Sequence, residues 1–189
     1  MPSAVSHAVV ALAVGTAFRR PGPPARFWVL AAACAVAPDL DIVGLWAGVP
    51  YTSMLGHRGL SHSLFGAAVL ATLALLAFRG ERWRAERGTF WLCFFVGTAL
   101  HGVLDAMTYG GGLGVAFFAP FDTHRFFLPW RPILVSPVHL RRFFTVLGIT
   151  IFRSEARWVW LPSAVFVLAV MLIRAMARSR GGARRGPAR

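Results

Sequence analysis

The sequence predicts an all-α, polytopic helical membrane protein with about five apolar helices and one long interfacial loop. Two observations carry that expectation. The hydrophobic fraction is 57% and the mean hydropathy is +0.61, well above the apolar share of a soluble domain. Several apolar runs also approach the ~20 residues that a helix needs to cross a bilayer. A chain of 189 residues is one domain's worth of protein, and a soluble fold of that size has no interior for so many apolar stripes.

The elements follow in order. The first apolar run, Ala4–Phe18, has no basic segment before it, whereas Arg19 and Arg20 follow it. That polarity is wrong for a secretory signal and reads as a mature first helix. A proline-stiffened basic turn, Arg19 to Arg26, leads to the second run, Phe27–Val49. Pro38 ends or breaks that helix, and an extended Asp39-Leu40-Asp41 would turn both carboxylates to one side. The loop Pro50–His62 precedes the third run, Ser63–Phe78, with Ser61 placed to cap it. Four arginines lie between Arg79 and Gly88, before the fourth run, Thr89–Asp105. Residues Ala106–Arg157 alternate glycine and proline with aromatics such as Phe117, Phe121 and Trp130, which favour the headgroup level. The fifth run is Trp158–Met176. Residues 1–176 thus read as one helical membrane domain, and the Arg/Gly-rich 177–189 as a disordered cytoplasmic tail. The first and third runs are short, so tilt or local thinning of the bilayer is expected.

The net charge of +13 comes from twenty arginines and no lysine. These arginines sit between apolar runs and in the tail, where they anchor to membrane lipids and fix topology rather than read nucleic acid. Placing the three arginine-rich pieces on the cytoplasmic side gives five spans, with the N-terminus outside and the C-terminus inside. Cys34 and Cys93 both fall in apolar runs without a CxxC pair, and read as packing residues.

Of only seven acidic residues, Asp39, Asp41 and Asp105 lie in or at the ends of apolar runs, where ionisable groups are costly and need partners. His7, His57, His62 and His101 lie at segment ends as well. His101 and Asp105 are spaced i, i+4, so both project from one helical face. In the five-span arrangement all seven side chains fall at the non-cytoplasmic face, although the topology was drawn from arginines alone. Four imidazoles and three carboxylates suit zinc, manganese or iron. Seven ligands are too many for one tetrahedral ion and suit two ions bridged by a carboxylate. Each residue also has a plainer reading: His7 as an interfacial polar group, Asp39 as a turn residue, His101 and Asp105 as a hydrogen-bonded pair, Arg58 as an anchor. His124 and His139 lie in the long loop and read as non-ligands.

Ser6-His7, Ala37-Pro38-Asp39-Leu40-Asp41, Gly56-His57-Arg58-Gly59-Leu60-Ser61-His62-Ser63 and His101-x-x-x-Asp105 occur in this order. They resemble the YdjM family of bacterial inner-membrane proteins, described as membrane-bound metal-dependent hydrolases. The stretch Ala119-Pro120-Phe121 to Phe127-Leu128-Pro129-Trp130-Arg131-Pro132 resembles it too. That family is distantly similar to zinc-dependent phospholipase C and P1 nuclease. The resemblance implies His7, one of Asp39 or Asp41, one of His57 or His62, His101 and Asp105 as metal ligands. No HxxxE follows Asp105, and Glu155 is a late acidic residue open to such a role.

The implied activity is hydrolysis of a phosphoester, lipid or lipid-linked, by metal-activated water. Asp39 or Asp41 would orient that water, and Arg58 would stabilise phosphate charge. Two alternatives use the same cluster: a metal or proton transporter, and a membrane protein with a structural metal site.

Overall fold

The computed structural model describes residues 1–18, 23–136 and 146–183. Arg19, Arg20, His139 and the tail from 184 onward lie outside the described residues.

The described chain is mostly helical because its apolar runs leave backbone polar groups no partner other than their own turns. Helix α1 is Ala4–Phe18 and α2 is Ala25–Val36. At Pro38 the ladder loses a donor and tightens into a 3₁₀ turn, Ala37–Asp41, before resuming as α3, Ile42–Trp46. The expected extended Asp39-Leu40-Asp41 is therefore replaced by a helical one. With three residues per turn, positions two apart diverge, so the two carboxylates reach different neighbours. A short 3₁₀ turn, Leu60–His62, leads into α4, Leu64–Ala74, whose N-cap is Ser63 rather than Ser61: the Ser63 hydroxyl accepts from the Gly66 N–H. The long α5 spans Arg87–Ala106.

The C-terminal helix begins earlier than its hydropathy suggests. Helix α6, Val146–Glu155, passes through a single π-helical turn, Ala156–Trp160, into α7, Leu161–Ala183. The end of the expected interfacial loop and the start of the expected tail are thus helical. Val146 to Phe152 continues the apolar run, and arginine is a good helix former. Three helical runs are long and apolar enough to cross a bilayer: Ala25–Trp46, Arg87–Ala106 and Leu147–Arg180. Ala4–Phe18 and Leu64–Phe78 are apolar but shorter.

Helix α5 packs against α1, α2 and α4, and α1 also packs against α2 and α7. The main core joins Phe27, Ala31 and Cys34 of α2 to Ala71 of α4 and Phe90, Cys93 and Phe94 of α5. Because successive helices run in opposite directions, their ends sort by chemistry. Arg26 stacks over Phe78 and Trp83 at one end, 4.8 and 5.1 Å from the ring centroids. His7, Asp39, His62, His101 and Asp105 gather at the other. Over that second end lies the loop that follows α5. It is not wholly irregular: Thr108–Tyr109 (β1) pairs in parallel with Ile133–Leu134 (β2), and Val115 bridges Phe126. Arg125 clamps it in place, donating to the carbonyls of Tyr51, Ser53, His57 and Gly114.

Glu155, open in the sequence to a late ligand role, is instead an anchor. It is buried, and its carboxylate accepts from the Ser3 N–H at 2.6 Å and from the hydroxyls of Ser3 and Ser6. The Ser6 hydroxyl also accepts from the Trp160 indole at 2.8 Å. A carboxylate at the start of α1 complements the helix dipole and ties this helix to the π-helical turn. Glu155→Ala leaves the Ser3 and Ser6 donors without that acceptor and is expected to cost about 3 kcal/mol. Thermal unfolding in detergent checks it; an unchanged midpoint would refute the anchor.

Candidate metal centre

The sharp turn His57-Arg58-Gly59 brings the site together. Arg58 has φ 65°, in the left-handed region that non-glycine residues rarely occupy. Gly59 follows because a Cβ there would overlap the Met54 carbonyl. The strain at Arg58, of order 1–3 kcal/mol, is offset by its side chain. The guanidinium is buried and donates to Asp105 Oδ2 at 3.1 Å, the Leu113 carbonyl at 2.8 Å and Thr108 Oγ1 at 3.1 Å. Gly102 of α5 then lets the next turn lie directly on the helix, since a Cβ would come within 2.8 Å of the His62 carbonyl. His62 is thereby laid beside His101 and Asp105.

A deep group results. Donor atoms of Asp39, His62, His101 and Asp105 all lie within 4.8 Å of one another. His62 Nε2 is 3.5 Å from Asp39 Oδ1 and 3.4 Å from Asp105 Oδ2, and His101 Nε2 is 3.3 Å from Asp39 Oδ1. His7 joins from α1: its Nε2 is 3.7 Å from Asp105 Oδ1 and 4.0 Å from Asp39 Oδ2, and its ring stacks on His101 at 3.6 Å. Two ligands about 2.0–2.2 Å from a shared ion at a tetrahedral angle lie about 3.3–3.6 Å apart, so these spacings fit a metal.

The orphaned atoms point the same way. His7 Nε2, both oxygens of Asp39, His62 Nε2, His101 Nε2 and Asp105 Oδ1 are buried without a hydrogen-bond partner. Each such atom left unmatched costs about 1–3 kcal/mol, and one cation among them satisfies the set. The far nitrogens are held by the protein. His101 Nδ1 faces the Ala35 carbonyl at 2.7 Å, and His62 Nδ1 faces Asp41 Oδ2 at 3.1 Å. Those contacts hold an N–H on Nδ1 and turn Nε2 inward, where its lone pair is available to a metal once any proton there is released.

Asp41, His57 and His62 make the second group. Asp41 Oδ1 is 2.6 Å from His57 Nδ1, and Oδ2 accepts from the Ser61 hydroxyl and the Arg58 N–H. The seven expected ligands therefore form two groups that share His62. A neutral imidazole has one lone pair, so His62 facing inward through Nε2 presents an N–H to Asp41. Arg58 also differs from expectation. Its guanidinium is sealed against Asp105 and the covering loop, with no face turned to a phosphate. The exposed His124 lies against Phe126, its ring centroid 4.6 Å away. The roles of Arg58 and Glu155 escaped the sequence because their partners are distant: Leu113 is 55 residues from Arg58, and Ser3 is 152 from Glu155.

A family model described as "YdjM inner membrane protein" matches residues 1–180. The chain is also 38% identical over 168 residues to "Inner membrane protein YbcI" of Escherichia coli (strain K12), covering 88% of this chain and 95% of that protein. No solved structure matches.

Burial disfavours a charge on His62, but the carboxylates of Asp105, Asp39 and Asp41 outweigh it and push the imidazole up to about 10. A proton thus holds His62 at neutral pH when no metal does, and metal uptake must displace it. Apparent zinc or manganese affinity is expected to fall as pH falls, with proton release on binding. Chelator competition across a pH series, with calorimetry in two buffers of different ionisation enthalpy, measures both. A pH-independent affinity without proton release would contradict the arrangement.

Proposed function

The chain belongs to the YdjM inner membrane protein family, and we propose that it acts there as a membrane-bound metal-dependent hydrolase of a phosphoester. The observation that carries this reading is the inward convergence of orphaned donors from Asp39, His62, His101 and Asp105, with His7 beside them. Three imidazoles and two carboxylates suit zinc, with manganese or iron as substitutes. Charge favours one ion rather than two. Asp39, Asp41 and Asp105 against Arg58 leave two negative charges in the buried centre, which one divalent cation neutralises. A second ion would leave an excess of buried positive charge.

A divalent ion held by Asp39, His62, His101 and Asp105 would supply Lewis acidity, lowering the pKa of water and polarising a phosphoryl oxygen. The remaining work falls to the chain. Arg58 neutralises Asp105 and fixes its orientation without touching substrate. Asp41 holds His57 through Nδ1, so the opposite nitrogen is the base that takes a proton from attacking water and returns one to the leaving group. Ser61, bonded to Asp41, keeps that carboxylate turned toward the two histidines.

The arginine-bearing end is assigned to the cytoplasm and the metal end to the other face, with all five apolar helices embedded. A structural metal site is the second reading, favoured by the near-complete burial of the deep donors. Transport fits less well, because a cluster at one end of the bundle is not a midplane site open to both faces.

Metal analysis of the detergent-purified protein, followed by a screen of amphiphilic phosphomonoesters and phosphodiesters, tests the proposal. Asp39→Asn is expected to lose both metal and turnover. His57→Ala is expected to keep its metal and lose turnover by about 10²–10⁴-fold. Metal bound without turnover of any of these esters favours the structural reading. No metal, even after reconstitution with zinc or manganese, overturns both.

A further inference from the structure

Asp41 and Ser61 reach a surface groove. It has a volume of 370 Å³ and is walled by Ala37, Pro38, Leu55, Phe65, Val69 and Leu70, with Asp41 and Ser61 as its polar side chains. One wall is the 3₁₀ turn inside the apolar run Ala25–Trp46, and the other is the start of the apolar helix Leu64–Phe78. Leu55, Phe65 and Val69 are 64%, 46% and 41% exposed, so the groove opens sideways at the rim of the bundle. The opening lies between two apolar helical runs and is lined mostly by apolar side chains.

Such walls offer nothing to a small water-soluble ester and match an alkyl chain. The volume is more than twice that of an apolar cavity of about 150 Å³ that accepts benzene, which gives room for one chain lying along the groove. The polar part is not incidental. The Ser61 hydroxyl donates to Asp41, and Asp41 is 2.6 Å from His57. A head group whose chain fills the groove is therefore held beside the pair assigned to proton transfer.

We propose that this groove is the subsite for the hydrocarbon chain of a membrane amphiphile, seated so that its phosphoester head group meets Ser61 and the His57–Asp41 pair. The head-group part rests on the hydrolase reading; the chain part does not.

The test uses the full chain in nanodiscs doped with a single-chain alkyl phosphate carrying a diazirine at the chain end, with adducts mapped by mass spectrometry. Adducts are expected on Leu55, Phe65, Val69 and Leu70 at several-fold the level on Leu172 and Ile173, which are exposed on α7. Unlabelled alkyl phosphate should compete for the groove and not for α7. Filling the groove with Val69→Trp, or the milder Val69→Phe, should lower its labelling several-fold while leaving metal content and α7 labelling unchanged. Equal labelling of groove and α7, without competition, overturns the subsite. The His101→Ala variant separates the two ideas. Groove labelling that survives loss of its metal upholds the chain subsite even if no hydrolysis is found.

Discussion

Asp105 places a negative charge at the end of a 20-residue apolar helix with no exposed surface. An isolated carboxylate in such surroundings would neutralise itself or unfold its neighbourhood. Here it is met on one side by the Arg58 guanidinium and on the other by His7 and His62. Much of the surrounding chain can be understood as the means of delivering those partners. Arg58 reaches Asp105 only from a left-handed backbone, which needs Gly59 behind it and the loop carbonyl of Leu113 in front. The covering loop is in turn fixed by Thr108, which donates to the Asp105 carbonyl and accepts from Arg58. His7 is held in place from the far end of the sequence, through Ser6 and Glu155.

His62 connects the deep group to the outer one, and its tautomer keeps their roles apart. With Nδ1–H directed to Asp41, the ring offers its lone pair inward, and Asp41 is left to orient His57. One imidazole thus belongs to both groups, touching Asp39 and Asp105 through Nε2 and Asp41 through Nδ1. The arrangement also explains why Asp39 and Asp41, two residues apart, do different things. Asp39 has both oxygens turned inward without partners, whereas both oxygens of Asp41 are occupied.

The sequence made the helical class, the ends of α1 and the identity of the clustered residues legible. Ala4–Phe18 is bounded by polar and basic residues, and the imidazoles and carboxylates stand out against an acid-poor, apolar background. What it concealed was direction. Pro38 signalled a break but not a 3₁₀ turn, so the divergence of Asp39 and Asp41 could not be read. Arg58 stood beside two histidines and looked free for substrate, because its true partners Asp105, Thr108 and Leu113 come together only in the fold. The extent of the C-terminal helix was hidden by arginines and glycines that punctuate without breaking it.

Burial of the deep donors sets a condition on any reaction at this site. The turn Leu60–His62 packs directly on α5, where a Cβ at Gly102 would come within 2.8 Å of the His62 carbonyl. Among the described polar residues at this end, Asp41 and Ser61 line the apolar groove. Lateral entry from the bilayer would satisfy this condition. The chain would occupy the groove, the head group would stay at the end of the bundle, and the apolar walls would strengthen every charge interaction around it. On the proposed reading, the groove and the sealed donor set would act together, the bilayer delivering the ligand and the fold shielding the charges that meet it.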